Sequence, residues 1–212
     1  MAKRSYGQVC GLAHALDLVG DRWTLLVVRE LLLGSRRYND LLADLPGIGT
    51  NLLAERLRTL EAAGLVDRDG DGPRAPYRLT ERGEGLREVV HALARFGLAL
   101  RPEVPDDAEF RPRWAVLGLS ALVERGRWPD RPESYQFVVG DLPVRVLAGP
   151  DGVRVEEGEV ADPAVRYVCD PLTFVRLGAR RTSRAEATAA GLLRVEGDPA
   201  AVARLEALLR PR

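Results

Sequence analysis

Asn51, Glu55 and Arg58 fall at spacing i, i+4 and i+7, so on a helix they share one face. Each carries chemistry that reads a base edge: an amide pairs bidentately with adenine, a guanidinium with guanine, and a carboxylate accepts from cytosine. Thr50 stands at the tip of the same segment, and Arg56 lies to one side of it. Arg36 and Arg37 precede the segment at a place suited to phosphate contact, and Arg68 and Arg74 flank the turn-rich stretch that follows. A solvated, salt-bridged face would use the same residue types, because Glu55 and Glu61 are interleaved with the arginines.

A base-reading face needs a helix held from its other side. Leu53, Leu57 and Leu60 supply that side, Thr50 caps the helix and Gly64 ends it. The preceding helix carries Tyr38, Leu41, Leu42 and Leu45, is capped by Ser35 and stops at Pro46-Gly47. Two earlier helices run through Leu12, Leu16 and Val19 to Gly20, and through Trp23, Leu26, Val27, Glu30 and Leu31 to Gly34. Downstream, Leu65-Val66 and Tyr77-Arg78-Leu79 read as strands around the turn Asp69-Gly70-Asp71-Gly72. Thr80 then caps one long helix with Leu86, Val89, Val90, Leu93 and Phe96 on its apolar side. This order is that of a winged helix-turn-helix module, mostly α with a β-hairpin wing, followed by a dimerisation helix. In such a module the second helix of the pair, here the one from Thr50, lies in the major groove.

The prolines and acids of residues 101–112 mark a linker between residues 1–100 and residues 113–212. The second half predicts a helix at Trp114–Leu122 and strands at Tyr135–Val139, Val144–Ala148, Val153–Glu157 and Val165–Cys169. A helix at Leu172–Gly178, a capping box at Ser183 and Glu186, a strand at Leu192–Val195 and a helix at Ala200–Leu209 complete it. The fold class is therefore α+β. Trp114, Leu117, Leu122, Phe137, Phe174 and Leu177 are candidates to line an apolar ligand pocket; a filled core would use the same six.

Composition removes several alternatives. Basic and acidic residues number 31 each, and the halves on either side of Asp107 each balance to within one charge. Any nucleic-acid surface must then come from local clustering. Cys10 and Cys169 are far apart and unpaired in spacing, which argues against a disulfide framework or a zinc site. Residues 113–212 contain no histidine, no serine with a base partner and no phosphate-binding glycine loop, so the expectation is a non-enzyme with no cofactor and no metal. No apolar run reaches the length of a membrane span and no signal-peptide core follows the N-terminus, so a cytoplasmic location is expected. Cys10 sits at a helix start with Arg4 and His14 close in sequence, a setting that favours thiolate and makes it a candidate redox sensor. A small residue at a dimer interface is the other reading.

Cys10 with ALDLVGDRWTLLVVRELLLGSRRYNDL, LPGIGTNLLAERLRTLEAAGLVDR and PYRLTERG, in that order over residues 8–97, resembles the HxlR-type winged-helix regulators, relatives of the MarR group. The resemblance implies a homodimer on a palindromic operator in double-stranded DNA, with recognition through the helix from Thr50 and a wing at residues 67–76. The family usually places proline after the N-terminal cysteine, where this chain has Gly11. The last fifty residues, with Gly191-Leu192-Leu193-Arg194-Val195-Glu196-Gly197-Asp198, are similar to the end of sterol-carrier-protein-type lipid-binding domains. That similarity implies a five-stranded sheet covered by helices around a cavity for a lipid-like molecule. Two functions follow: a transcription regulator responsive to a small apolar effector, or a lipid carrier whose winged helix serves protein contacts only.

Overall fold

The computed structural model describes residues 5–70, 72, 74–100, 103–105, 109–123 and 128–209. Asp71, in the expected turn, and parts of the expected linker lie outside the described residues. The chain divides into two units, Met1–Val90 and His91–Arg212, which meet inside a helix rather than in residues 101–112.

The first unit opens with α1 (Gly11–Val19), α2 (Thr24–Leu32), α3 (Tyr38–Asp44) and α4 (Thr50–Ala62). Its core is built from Val27, Val28 and Leu31 of α2, Leu41 of α3, and Leu53, Leu57 and Leu60 of α4, all at most 3% exposed. Three expectations change here. Arg37, not Ser35, occupies the N-cap of α3, because the Ser35 hydroxyl is engaged by the Asp69 carboxylate at 3.0 Å. Gly49, not Thr50, is the N-cap of α4, whose first helical residue is Thr50. On α1, Leu12 and Leu16 are exposed, and only Ala13 and Val19 turn inward.

The hairpin forms as β1 (Val66–Arg68) and β2 (Tyr77–Leu79), antiparallel, with Val66 opposite Leu79. Arg36 pairs with Tyr77 through two backbone hydrogen bonds of 2.7 and 2.8 Å, so the entry to α3 is laced to the hairpin. The expected long helix is two: α5 (Glu81–Glu84), capped by Thr80, and α6 (Arg87–Ala99), separated at Gly85. Val90 is buried, whereas Val89, Leu93 and Phe96 are exposed, so most of the apolar side has no cover among the described residues.

The second unit contains the end of α6, then α7 (Trp114–Leu122), β3 (Glu133–Val139), β4 (Leu142–Gly149), β5 (Gly152–Glu157), β6 (Val165–Cys169), α8 (Pro171–Gly178), α9 (Arg184–Ala189), β7 (Leu193–Gly197) and α10 (Pro199–Leu208). Its five strands form one sheet in the order β5-β4-β3-β6-β7, parallel between β3 and β6 and antiparallel elsewhere. Period-two alternation aligns Phe137 with Tyr167 and Val139 with Cys169, so these side chains share one face. The Phe137 and Tyr167 rings stack there with centroids 5.2 Å apart. Gln136 faces the other way and is wholly buried; its amide donates to three backbone carbonyls and accepts from Val160 N–H at 2.7 Å. No described helix is long and apolar enough to cross a membrane.

Candidate functional site

With Leu53, Leu57 and Leu60 turned inward, α4 leaves Thr50, Asn51, Glu55 and Arg58 exposed on its outer side. Two contacts fix how that side is presented. The Tyr38 hydroxyl donates to the Thr50 carbonyl at 2.6 Å, tying the start of α4 to α3. The Trp23 ring lies 3.7 Å from where a Cβ on Gly47 would sit, bracing the turn between α3 and α4. Neither Tyr38 nor Trp23 was singled out in the sequence as part of the site, because an aromatic in a helical stripe reads simply as core.

The structure separates the seven arginine and glutamate candidates into two groups. Arg56 is drawn to Asp21 at 2.6 Å with its side chain only 12% exposed, so it anchors α4 rather than facing outward. Arg68 donates to Glu61 at 3.1 Å and stacks on the Tyr77 ring at 3.9 Å, closing the base of the hairpin. Arg36 pairs with Asp44 at 3.5 Å. Arg37 and Arg74, by contrast, are exposed and have no carboxylate partner among the described residues. Among the described residues Arg58 is held only through its Nε, which donates to the Ala54 carbonyl at 3.3 Å, leaving its terminal nitrogens available. Glu55 is exposed, 3.6 Å from Arg56. The outer side of α4 thus carries an amide, a hydroxyl, a carboxylate and a guanidinium, with further guanidinium groups ahead of α3 and on the hairpin.

The HxlR-like helix-turn-helix family matches residues 18–104. An uncharacterized HTH-type transcriptional regulator of Synechocystis is 42% identical over 94 residues, which is 43% of this chain and 70% of that protein. The chain belongs to the HxlR-like helix-turn-helix family. An uncharacterized HTH-type transcriptional regulator of Mycobacterium bovis is likewise 42% identical, over 110 residues, half of this chain and 68% of that one. A solved transcriptional regulator of Porphyromonas gingivalis assigned to the MarR family aligns at 26% identity and a TM-score of 0.41, covering 45% of this chain and 96% of that one.

Cys10 precedes the residues matched to the HxlR-like family. It is exposed and unpaired. The backbone N–H groups of Ala13 and then Leu12, at the start of α1, favour its thiolate and hold its pKa below the ordinary thiol value. Cys169 is the opposite case: burial pushes its thiol up to about 11.

The second unit contains a cavity of about 1050 Å³ between one face of the sheet and its covering helices. Its floor is Phe137, Tyr167, Cys169 and Leu193, and its roof includes Trp114 and Leu122 of α7 and Phe174 and Leu177 of α8. Five of the six residues expected to line a pocket therefore do so. Leu117 does not: it is buried on another side of α7, since it lies one residue before Gly118, which does reach the cavity. Phe110 and Tyr167 were not foreseen. Phe110 packs on both Trp114 and Phe174 at 5.9 and 5.8 Å. Tyr167 is 8% exposed, and its hydroxyl has no hydrogen-bond partner among the described residues. Leaving such a group unsatisfied costs about 1–3 kcal/mol. Burial raises its pKa to about 12, so it remains a neutral donor. Among the described residues no group of three or more His, Cys, Asp or Glu is arranged to hold a metal ion.

Proposed function

We propose that this protein is a DNA-binding transcription regulator that acts as a homodimer on a palindromic operator and responds to an apolar ligand held in its second, sterol-carrier-like unit. The observation that carries the DNA-binding reading is the outer side of α4, where Thr50, Asn51, Glu55 and Arg58 are exposed together and braced from behind. Arg37 and Arg74, lacking internal carboxylate partners, are the phosphate contacts in this reading. Arg36, Arg56 and Arg68 leave the contact set and hold the frame.

The dimer reading rests on α6, where Val89, Leu93 and Phe96 follow at i, i+4 and i+7 and are all exposed, Phe96 at 65%, with exposed Leu100 just past its end. An apolar stripe of that kind on a regulator suits a second copy of the same helix. The effector reading rests on the cavity, whose volume is at the upper end of the roughly 300–1,000 Å³ typical of ligand pockets. The cavity also favours the carrier reading, in which the winged helix makes protein contacts only.

A mobility shift on the DNA upstream of the chain's own gene, with a genome-wide binding selection beside it, separates the two. Specific binding is expected. Asn51→Ala and Arg58→Ala should each reduce discrimination at one base position by about 1–3 kcal/mol, whereas Arg37→Ala and Arg74→Ala should weaken all sequences alike. Phe96→Glu should give a monomer by light scattering and abolish operator binding at the same concentration. No specific DNA binding in either assay leaves the carrier reading standing.

A further inference from the structure

The second half of α6, within the unit that begins at His91, carries two different surfaces. Leu98 is partly buried and forms part of the cavity wall. It faces Gly178 at the end of α8, where a Cβ would lie 3.9 Å from Leu98 Cδ2, an ordinary contact distance. Three residues earlier the partly buried Arg95 guanidinium donates to the Ala121 carbonyl, near the end of α7, at 3.0 Å. That helix in turn supplies Trp114, Gly118 and Leu122 to the cavity wall. The other surface is the exposed apolar stripe, which here consists of Leu93 and Phe96. At 3.6 residues per turn, Phe96 and Leu98 point about 160° apart. The same stretch of helix thus has the cavity on one side and the proposed seat of a second copy on the other.

We propose that occupation of the cavity and association of two copies through α6 are coupled, with an apolar ligand tightening the dimer. The proposal rests on the effector and dimer readings above and supplies the link between them. Whatever occupies the cavity packs against Leu98, and against the α7 and α8 residues on which α6 is seated. Each such contact is small, but together they narrow the positions open to the second half of α6. A stripe already held in place loses less conformational freedom when a second copy docks on it, so the copy binds more tightly. A ligand with equal affinity for monomer and dimer would shift nothing, however tightly it bound. Linkage runs both ways: the dimer must bind the ligand more tightly than the monomer does, by the same factor.

Sedimentation velocity over a dilution series of the full chain, with and without saturating N-phenyl-1-naphthylamine, a neutral apolar fluorophore, tests this. The fluorophore should lower the dimer dissociation constant by about fivefold or more. Its own affinity, read from its fluorescence, should rise by the same factor between dilute and concentrated protein. Phe96→Glu, held monomeric, should keep the affinity of the dilute parent chain at every concentration. Leu98→Ala and Leu209→Ala each trim the cavity wall, the second at the end of α10, and both should weaken fluorophore binding. Only Leu98→Ala should lose the coupling, because only that wall residue lies on the helix of the stripe. Fluorophore binding that leaves the dimer unchanged, or loosens it, overturns the coupling while the cavity remains a ligand site. Equal coupling in the parent and in Leu98→Ala overturns the route through α6. No fluorophore binding overturns the apolar-effector reading, and a parent chain monomeric at every concentration overturns the dimer reading; the coupling falls with either. A mobility shift on the ligand-free protein, run on the same samples, decides the DNA-binding reading separately.

Discussion

Arg56 and Arg58 stand two residues apart on α4, and the helix period sends them to different neighbours. Arg56 reaches back to Asp21, at the junction of α1 and α2, while Arg58 stays on the outer side. Asp21 is 67% exposed, which limits the ion pair to about 0.2–1 kcal/mol. A double-mutant cycle of Arg56→Met and Asp21→Asn by urea unfolding should return a coupling in that range. Arg56→Met should leave base preference unchanged, since its side chain makes no base contact; a shifted preference would return it to the contact set. The two thiols differ just as sharply. Cys10 has a lowered pKa and open access, whereas Cys169 is a neutral thiol buried at the end of β6. Titration of the native chain with an aromatic disulfide at neutral pH should modify Cys10 first, with a rate that levels off below the pH expected of an ordinary thiol, and Cys169 only after unfolding. If modified Cys10 leaves operator binding untouched, its reactivity has no sensory role in this chain.

At the scale of elements, α10 is tied to the sheet by one carboxylate. Glu133 of β3 accepts from Arg204 of α10 at 2.9 Å and from the Tyr135 hydroxyl. The Arg204 hydrogen bond, opposed by burial, holds the Glu133 carboxyl below its ordinary range. A depressed folded-state pKa means the stabilisation is complete above the unfolded value of about 4.3 and is lost as pH falls through the folded one. Glu133→Gln should therefore be less stable than the parent at pH 7 in urea, with the gap narrowing below about pH 4; a gap that persists in acid would point to packing instead. Elements with a strong period were legible in the sequence: β6 matches its expectation residue for residue, because alternation runs unbroken from Val165 to Cys169. The break between α5 and α6 was not, since Leu86, Val90 and Leu93 all lie after Gly85 and residues 81–84 offer no apolar position whose spacing could show a break. Ser35 failed as a cap for a tertiary reason, the Asp69 carboxylate across the hairpin. The cavity residues were legible by type, but empty space was not, because a filled core and a lined pocket use the same side chains. Tyr167 required the β3–β6 register before its face, and hence its unsatisfied hydroxyl, could be known.

The whole molecule carries no net charge, with 31 basic and 31 acidic residues, so long-range attraction cannot bring it to DNA. Binding must then draw on a small number of arginines left without internal partners, and that number sets its salt dependence. Arg37 and Arg74 are the phosphate contacts proposed for each protomer, which gives a dimer about four released counterions. The slope of log K against log salt should be about −4, from roughly −0.9 per phosphate neutralised. Fluorescence anisotropy on a labelled operator between 50 and 200 mM salt measures it. Arg74→Ala removes one contact per protomer and should bring the slope to about −2. Arg68→Ala removes none and should leave the slope unchanged while destabilising the hairpin, because Arg68 is spent on Glu61 and Tyr77. A parent slope near −10 would mean that the arginines paired inside the protein exchange their carboxylates for phosphates on binding, and that the division between frame and contact residues drawn from this structure does not hold on DNA.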